Sequence, residues 1–209
     1  MYMKPFAIVS YPRSGFHLID TILANYFSYQ SGSTNSGCCK GGYCFNPVSD
    51  TPLRIHRSHD FEGRTSPSDF SKIIILYRSD IIRQIDAYVR YARLRTKKST
   101  TEELFTLEEH TTFYATDEPY IIDEVRWMYQ FYNTFVDKWI KTPPENSLVI
   151  DYSDLITNPI ETISAVQLFT TGTNDPVLSE RIVRELRIES KNEISESRYQ
   201  ALKAIIDTL

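Results

Sequence analysis

The stretch from Phe6 to Leu23, FAIVSYPRSGFHLIDTIL, constrains the fold of this chain more than any other. It opens on a short apolar run, Phe6 to Val9, closed by the turn-forming pair Tyr11-Pro12. A run of that length and character predicts a buried strand. Ser14 and Gly15 then stand directly ahead of Leu18, Ile19, Ile22, Leu23, Tyr26 and Phe27, whose spacing predicts a helix. Strand, tight basic loop and helix in succession aim several backbone N–H groups and the positive helix end at one spot. Such a spot binds an anion, most often a phosphate. The usual nucleoside-triphosphate loop, G-x-x-x-x-G-K-[ST], is absent here. Ser10 stands where its first glycine belongs, and Phe16-His17 follow Gly15 in place of Lys and Ser/Thr.

The remaining pattern alternates in the same way. Pro52–His56 is a strand candidate that runs into Arg57-Ser58-His59-Asp60. Lys72–Tyr77 is an unbroken apolar run, as expected of a parallel strand covered on both faces. A helix is predicted from about Asp80 to Arg95 and a long one from Ile121 to about Lys141, ended by Pro143-Pro144. Between them, residues 94–120 are polar and irregular, with a short helix expected over Thr101–Glu109. Ser147–Asp151 is a further strand, and helices follow from Asn158-Pro159, over Pro176–Ile188 and over Glu193–Thr208. Strands alternating with helices predict an α/β fold with a mostly parallel sheet flanked by helices. At 209 residues the expectation is a single domain, 1–209, with a helical C-terminal part. The Gly/Ser/Cys loop 31–46 and the polar insertion 94–120 lie within it.

Charge and cysteines narrow the partners. A net charge of −4 argues against a nucleic-acid binder that relies on a basic surface, so any anion site must be local. Without a run of 18 or more apolar residues or a leader ahead of the first strand, no membrane association and a cytoplasmic location are expected. Cys38, Cys39 and Cys44 cluster in a Gly/Ser-rich tract. Their spacing fits no standard zinc signature, and free thiols are preferred over a metal site.

Four stretches, in order, resemble the sulfotransferases that use 3′-phosphoadenosine 5′-phosphosulfate. Tyr11-Pro12-Arg13-Ser14-Gly15-Phe16-His17-Leu18 is similar to that family's 5′-phosphosulfate loop, Y-P-[KR]-S-G-[TS]-x-[WL]. Arg57-Ser58-His59 is similar to its [KR]-[ST]-H segment. Arg78 takes the arginine position of its 3′-phosphate segment, R-[DN]-P-x-[DE]-x-x-x-S, and Tyr152 the tyrosine of Y-E-D-L-x-x-[DN]-P. The resemblance covers Ala7 to about Phe169, with an unmatched middle.

The resemblance implies a P-loop-like sulfotransferase fold and sulfuryl transfer to a hydroxyl of a small molecule or carbohydrate. No metal is expected. His59 would be the general base, and Arg13 and Arg57 would neutralise charge on the leaving phosphate and the moving sulfonate. The donor would be held by Arg13, Ser14, Gly15, Phe16, His17 and Leu18 at its 5′ end, by Arg78 at its 3′-phosphate, and by Tyr152 near its adenosine. Each of these side chains follows a predicted strand or its loop, where open α/β sheets bind ligands.

Some readings stay open, and the chain departs from the family at three points. His56 is the alternative base to His59. Asp60 is either the partner that orients His59 or a turn residue. Phe16 replaces a hydroxyl, and no R-K-G loop follows near the C-terminus. Asp86 stands where the family has its phosphate-binding serine. It is either paired with Arg83 or Arg90, at helical spacing, or the mark of a changed donor site. A P-loop-like small-molecule kinase and a non-catalytic nucleotide-binding relic are the competing functions.

Overall fold

The computed structural model describes residues 6–27, 30–31, 54–60, 63–98, 119–188 and 194–209. Its centre is a five-stranded parallel sheet in the order β2-β3-β1-β4-β5. The strands are β1 (Phe6–Ser10), β2 (Gln30–Ser31), β3 (Arg54–Ser58), β4 (Lys72–Tyr77) and β5 (Ser147–Asp151). The helices are α1 (Phe16–Tyr26), α2 (Ile81–Lys98), α3 (Ile122–Trp139), α4 (Tyr152–Thr157), α5 (Pro159–Thr171), α6 (Pro176–Leu186) and α7 (Glu196–Ile206). A 3-10 turn occupies Pro67–Asp69. The architecture is α/β with a parallel sheet, as the alternating pattern predicts.

The chain divides into two compact units. One comprises Met1–Ser79 and Phe135–Glu189, the other Asp80–Thr134 and Ser190–Leu209.

The first unit holds the sheet. β1 is flanked by β3 and β4, with Ile8 in register with Arg57 on one side and Ile74 on the other. Paired residues of a parallel sheet share a face, and neighbours along a strand alternate. Phe6, Ile8, Ile74, Leu76 and Ile150 therefore line one face. They form one core with Phe16, Ile19, Ile22 and Leu23 of α1, Ile163 and Val166 of α5, and Ile182 of α6. Ala7, Val9, Ile73 and Ile75 fall on the opposite face and are fully buried too. Burial on both faces is why β1 and β4 read as continuous apolar runs. Arg57 lies on the α1 face, in register with Ile8, whereas His56 pairs with Ala7 on the other.

The second unit packs α2, the first part of α3 and α7 around Ile82, Ile85, Val89, Val125, Met128 and Leu202. No helix among the described residues is long and apolar enough to cross a membrane.

Several boundaries differ from expectation. β3 extends through Arg57 and Ser58, because ladder bonds to β1 are backbone bonds and tolerate polar side chains. Tyr152–Thr157 is a helix of its own, started by the Asp151 carboxylate accepting from the Ser153 N–H at 2.9 Å. The expected helix over 101–109 and Cys38, Cys39 and Cys44 lie outside the described residues.

Candidate functional site

The loop between β1 and α1 is shaped by its backbone. Tyr11 extends the ladder, its N–H donating to the Leu76 carbonyl at 2.9 Å. The Ser14 N–H then turns back to the Tyr11 carbonyl, and Arg13 and Gly15 adopt φ of 70° and 87°. Alternation into the left-handed region turns successive N–H groups toward one concavity, the geometry of a backbone anion nest. Gly15 is the N-cap of α1, contributes no capping side chain, and no acidic residue occupies the first turn. The N–H groups at Phe16 and His17 lack intrahelical acceptors by helix geometry, and no carboxylate of that turn neutralises them. Ser14 is buried, and Leu18 packs against the core while its N–H donates to the Gly15 carbonyl.

Gly15 is required for two reasons. A non-glycine residue at its φ is strained. A Cβ there would also stand 3.0 Å from Tyr152 Cδ2 and 3.3 Å from Leu155 Cδ2. Gly15→Ala is therefore expected to cost about 1–3 kcal/mol, and thermal unfolding should show it as a Tm lowered by several degrees.

His59 follows β3 and hangs from the end of β1. Its Nδ1 lies 2.9 Å from the Ser10 carbonyl and 3.0 Å from Ser10 Oγ. A carbonyl only accepts, so Nδ1 carries the proton and the lone pair of the neutral ring sits on Nε2. The Phe16 ring lies 5.7 Å from the His59 ring and 5.5 Å from that of His17, and the Arg57 guanidinium stands 5.9 Å over it. Phe16, where a hydroxyl was expected to be lost, is thus the packing post of the site. Arg57 Nη2 is gripped by both carboxylate oxygens of Asp20 at 2.5 and 2.6 Å. Asp20 lies on α1 and has no counterpart in the sequence reading.

Arg78 and Tyr152 come from adjacent strand ends. The Arg78 guanidinium lies 4.2 Å over the Tyr152 ring, and Arg78 is buried. The Asp151 carboxylate joins the two strands by accepting from the Ser79 N–H at 3.1 Å as well as from Ser153. Arg13, Ser14, Gly15, Phe16, His17, Arg57, His59, Arg78 and Tyr152 thus gather at the carboxyl ends of the strands in the first unit.

The alternatives separate here. Asp60 does not hold His59: its carboxylate accepts from Lys138 Nζ at 2.7 Å, Trp139 Nε1 at 2.8 Å and the Thr65 N–H at 2.8 Å. It anchors the turn after β3. His56 is buried on the other sheet face and stacks on Phe70 at 5.0 Å.

In the second unit, Asp86 is buried and ion-paired. Arg90 bonds one of its oxygens, while Arg198 of α7 at 3.0 Å and the Tyr120 hydroxyl at 2.6 Å bond the other. Arg83 instead bridges to Asp80 at 3.1 Å. Among the described residues no group of three or more His, Cys, Asp or Glu side chains is arranged to hold a metal.

His17, His56 and His59 all titrate below the ordinary 6.5, and removal of solvent from the ring is the leading cause at each. The charge of Arg13 adds to it at His17, while the Ser10 carbonyl partly opposes it at His59. Above 6.5 these rings are neutral in both the folded and unfolded chain. Below it the unfolded chain takes up protons first, so stability falls with pH until the lower folded values are passed. Thermal unfolding should accordingly show a lower Tm at about pH 5.5 than at about pH 7.5, with His56→Gln removing part of the difference.

No family model matches the chain, and no curated protein matches it. Among solved structures it is similar to a sulfotransferase domain from the curacin biosynthetic pathway. The identity is 14%, the match covers 98% of each chain, and the TM-score is 0.45. The chemistry of the site rests on its own residues.

Proposed function

We propose that the protein is a cytoplasmic sulfotransferase. It would move the sulfuryl group of 3′-phosphoadenosine 5′-phosphosulfate to a hydroxyl of a small molecule or carbohydrate. The observation that carries this reading is the suspension of His59 by Nδ1 from the Ser10 carbonyl, against a ring of the anion loop. A neutral imidazole with its lone pair on Nε2, beside a phosphate-binding concavity, is the arrangement that deprotonating an acceptor requires.

The residues present fit such a donor. The loop from Arg13 to His17 supplies N–H groups and positive φ for the 5′-phosphate end. Arg78 offers a planar guanidinium fork for the 3′-phosphate. In the reaction His59 Nε2 takes the acceptor's hydroxyl proton as the new O–S bond forms. The bond from sulfur to the bridging oxygen of the 5′-phosphate breaks, and adenosine 3′,5′-bisphosphate leaves with that electron pair. Arg13 and Arg57 offset the charge on the departing phosphate and the moving sulfonate. Arg57 does so from a direction fixed by Asp20. As in phosphoryl transfer, positioning and positive charge supply most of the acceleration.

Calorimetric titration with adenosine 3′,5′-bisphosphate, with ATP–Mg²⁺ run alongside, tests the reading. Tight binding of the bisphosphate, weakened by Arg78→Ala, is expected. Binding of ATP–Mg²⁺ in its place would move the assignment to a kinase, and binding of neither to a protein without this donor.

A further inference from the structure

Tyr152 occupies an unusual place between two parts of the site. One edge of its ring lies against the loop, so close to Gly15 that a Cβ there would stand 3.0 Å from Cδ2. Its face carries the Arg78 guanidinium at 4.2 Å from the ring centroid. The residue opens α4 immediately after Asp151, whose carboxylate accepts from the N–H of Ser79, next to Arg78. Among the described residues the Tyr152 hydroxyl takes no part in any of these contacts. The Tyr152 ring therefore meets the loop with one edge and the Arg78 guanidinium with its face.

We propose that Tyr152 is a specificity-determining positioning residue. Its ring, and not its hydroxyl, sets the place of Arg78 relative to the anion loop, and so selects a nucleotide with a phosphate at both 5′ and 3′ positions. This rests on the donor reading above. A guanidinium is a flexible arm unless something holds it, and two anionic groups of one rigid ligand can be bound together only if their clamps keep a fixed separation. The ring supplies that fixity twice. Its face attracts the cation through the ring quadrupole, and its edge sits against Gly15 in space that a Cβ would take. The Asp151 bond to Ser79 holds the backbone of the same arginine segment from below. A role limited to supporting the loop would affect every 5′-phosphate ligand alike. A role through Arg78 affects only those that carry the second phosphate.

The test compares affinities for adenosine 3′,5′-bisphosphate and adenosine 5′-monophosphate in the parent protein and four variants: Tyr152→Phe, Tyr152→Leu, Arg78→Ala and the last two combined. Tyr152→Phe keeps the ring and is expected to bind the bisphosphate within about twofold of the parent, since only the hydroxyl is lost. Tyr152→Leu removes the face and is expected to lose about tenfold in bisphosphate affinity with the monophosphate little changed. In an Arg78→Ala background the same leucine substitution should have no further effect on the bisphosphate. A tenfold loss in Tyr152→Phe, on the order that a lost ligand hydrogen bond produces, would assign the hydroxyl to the ligand and overturn the proposal. So would equal losses for both nucleotides in Tyr152→Leu, or additive losses with Arg78→Ala. Should the leucine variant not fold, Tyr152→Met, which also lacks the ring face, takes its place with the same expected and overturning results. A parent protein that binds neither nucleotide overturns the donor reading itself, and this proposal with it. A parent that binds the bisphosphate beside a leucine variant of unchanged preference overturns the Tyr152 proposal alone.

Discussion

Replacing His59 by glutamine is expected to lower sulfuryl transfer by about 10²–10⁴-fold, the usual contribution of a positioned general base. Glutamine can still donate to the Ser10 carbonyl and fill the space against Phe16, but its amide cannot accept the acceptor's proton. Affinity for adenosine 3′,5′-bisphosphate should stay within about twofold, because the imidazole acts on the acceptor and not on the donor. The pH profile sharpens the expectation. His59 titrates below 6.5 through burial, so transfer by the parent should rise with pH along a limb below that value and be level at neutrality. The glutamine variant should lack the limb. Steady-state transfer from the donor to a responsive hydroxyl acceptor, measured between about pH 5 and 8, reads both features. Equal losses in nucleotide affinity and in rate would remove His59 from the role of base.

The second large effect is on stability. Asp86→Ala should destabilise the fold by about 3–5 kcal/mol, the cost of breaking a buried ion pair from one side. Two buried arginines, Arg90 and Arg198, would lose their counter-charge, and the Tyr120 hydroxyl its acceptor. Asp86→Asn restores an oxygen for Tyr120 but not the charge, and should recover only part of the loss. Denaturant unfolding monitored by circular dichroism measures both variants, and the effect should concentrate in α2 and α7, which the Asp86–Arg198 bridge ties together. A loss below about 1 kcal/mol would mean that water or rearranged side chains replace the carboxylate at little cost.

Much of the first unit was legible in the sequence, because the interactions that build it are local or repetitive. β1 and β4 carry continuous apolar runs and β5 a shorter one, and the strand–loop–helix succession from Phe6 to Phe27 states its own geometry. What could not be read depends on partners far along the chain. Asp60 precedes Lys138 and Trp139 by nearly eighty residues, so whether it faces them or the adjacent His59 is undecided until the chain folds. Asp20 and Arg57 are thirty-seven residues apart, and only the pairing of β1 with β3 turns Arg57 to the sheet face that α1 covers. The two-residue β2 carries no periodicity at all. α4 left a trace in Asp151, a capping residue two positions before Ser153, but six residues are too few to show a helical period. At Asp86 helical spacing offered two arginines, and tertiary contact chose Arg90 and added Arg198 from the far end of the chain.

The Phe16 ring has a practical consequence. An aromatic ring sets up a local magnetic field, and its centroid lies within 6 Å of both the His17 and His59 rings. The carbon-bound protons of those imidazoles should therefore resonate away from ordinary histidine positions, and should shift again when the loop tightens around an anion. With only four histidines in the chain, their signals can be followed one by one. The loop carries its own magnetic reporter, and its conformation can be tracked in solution without any attached label.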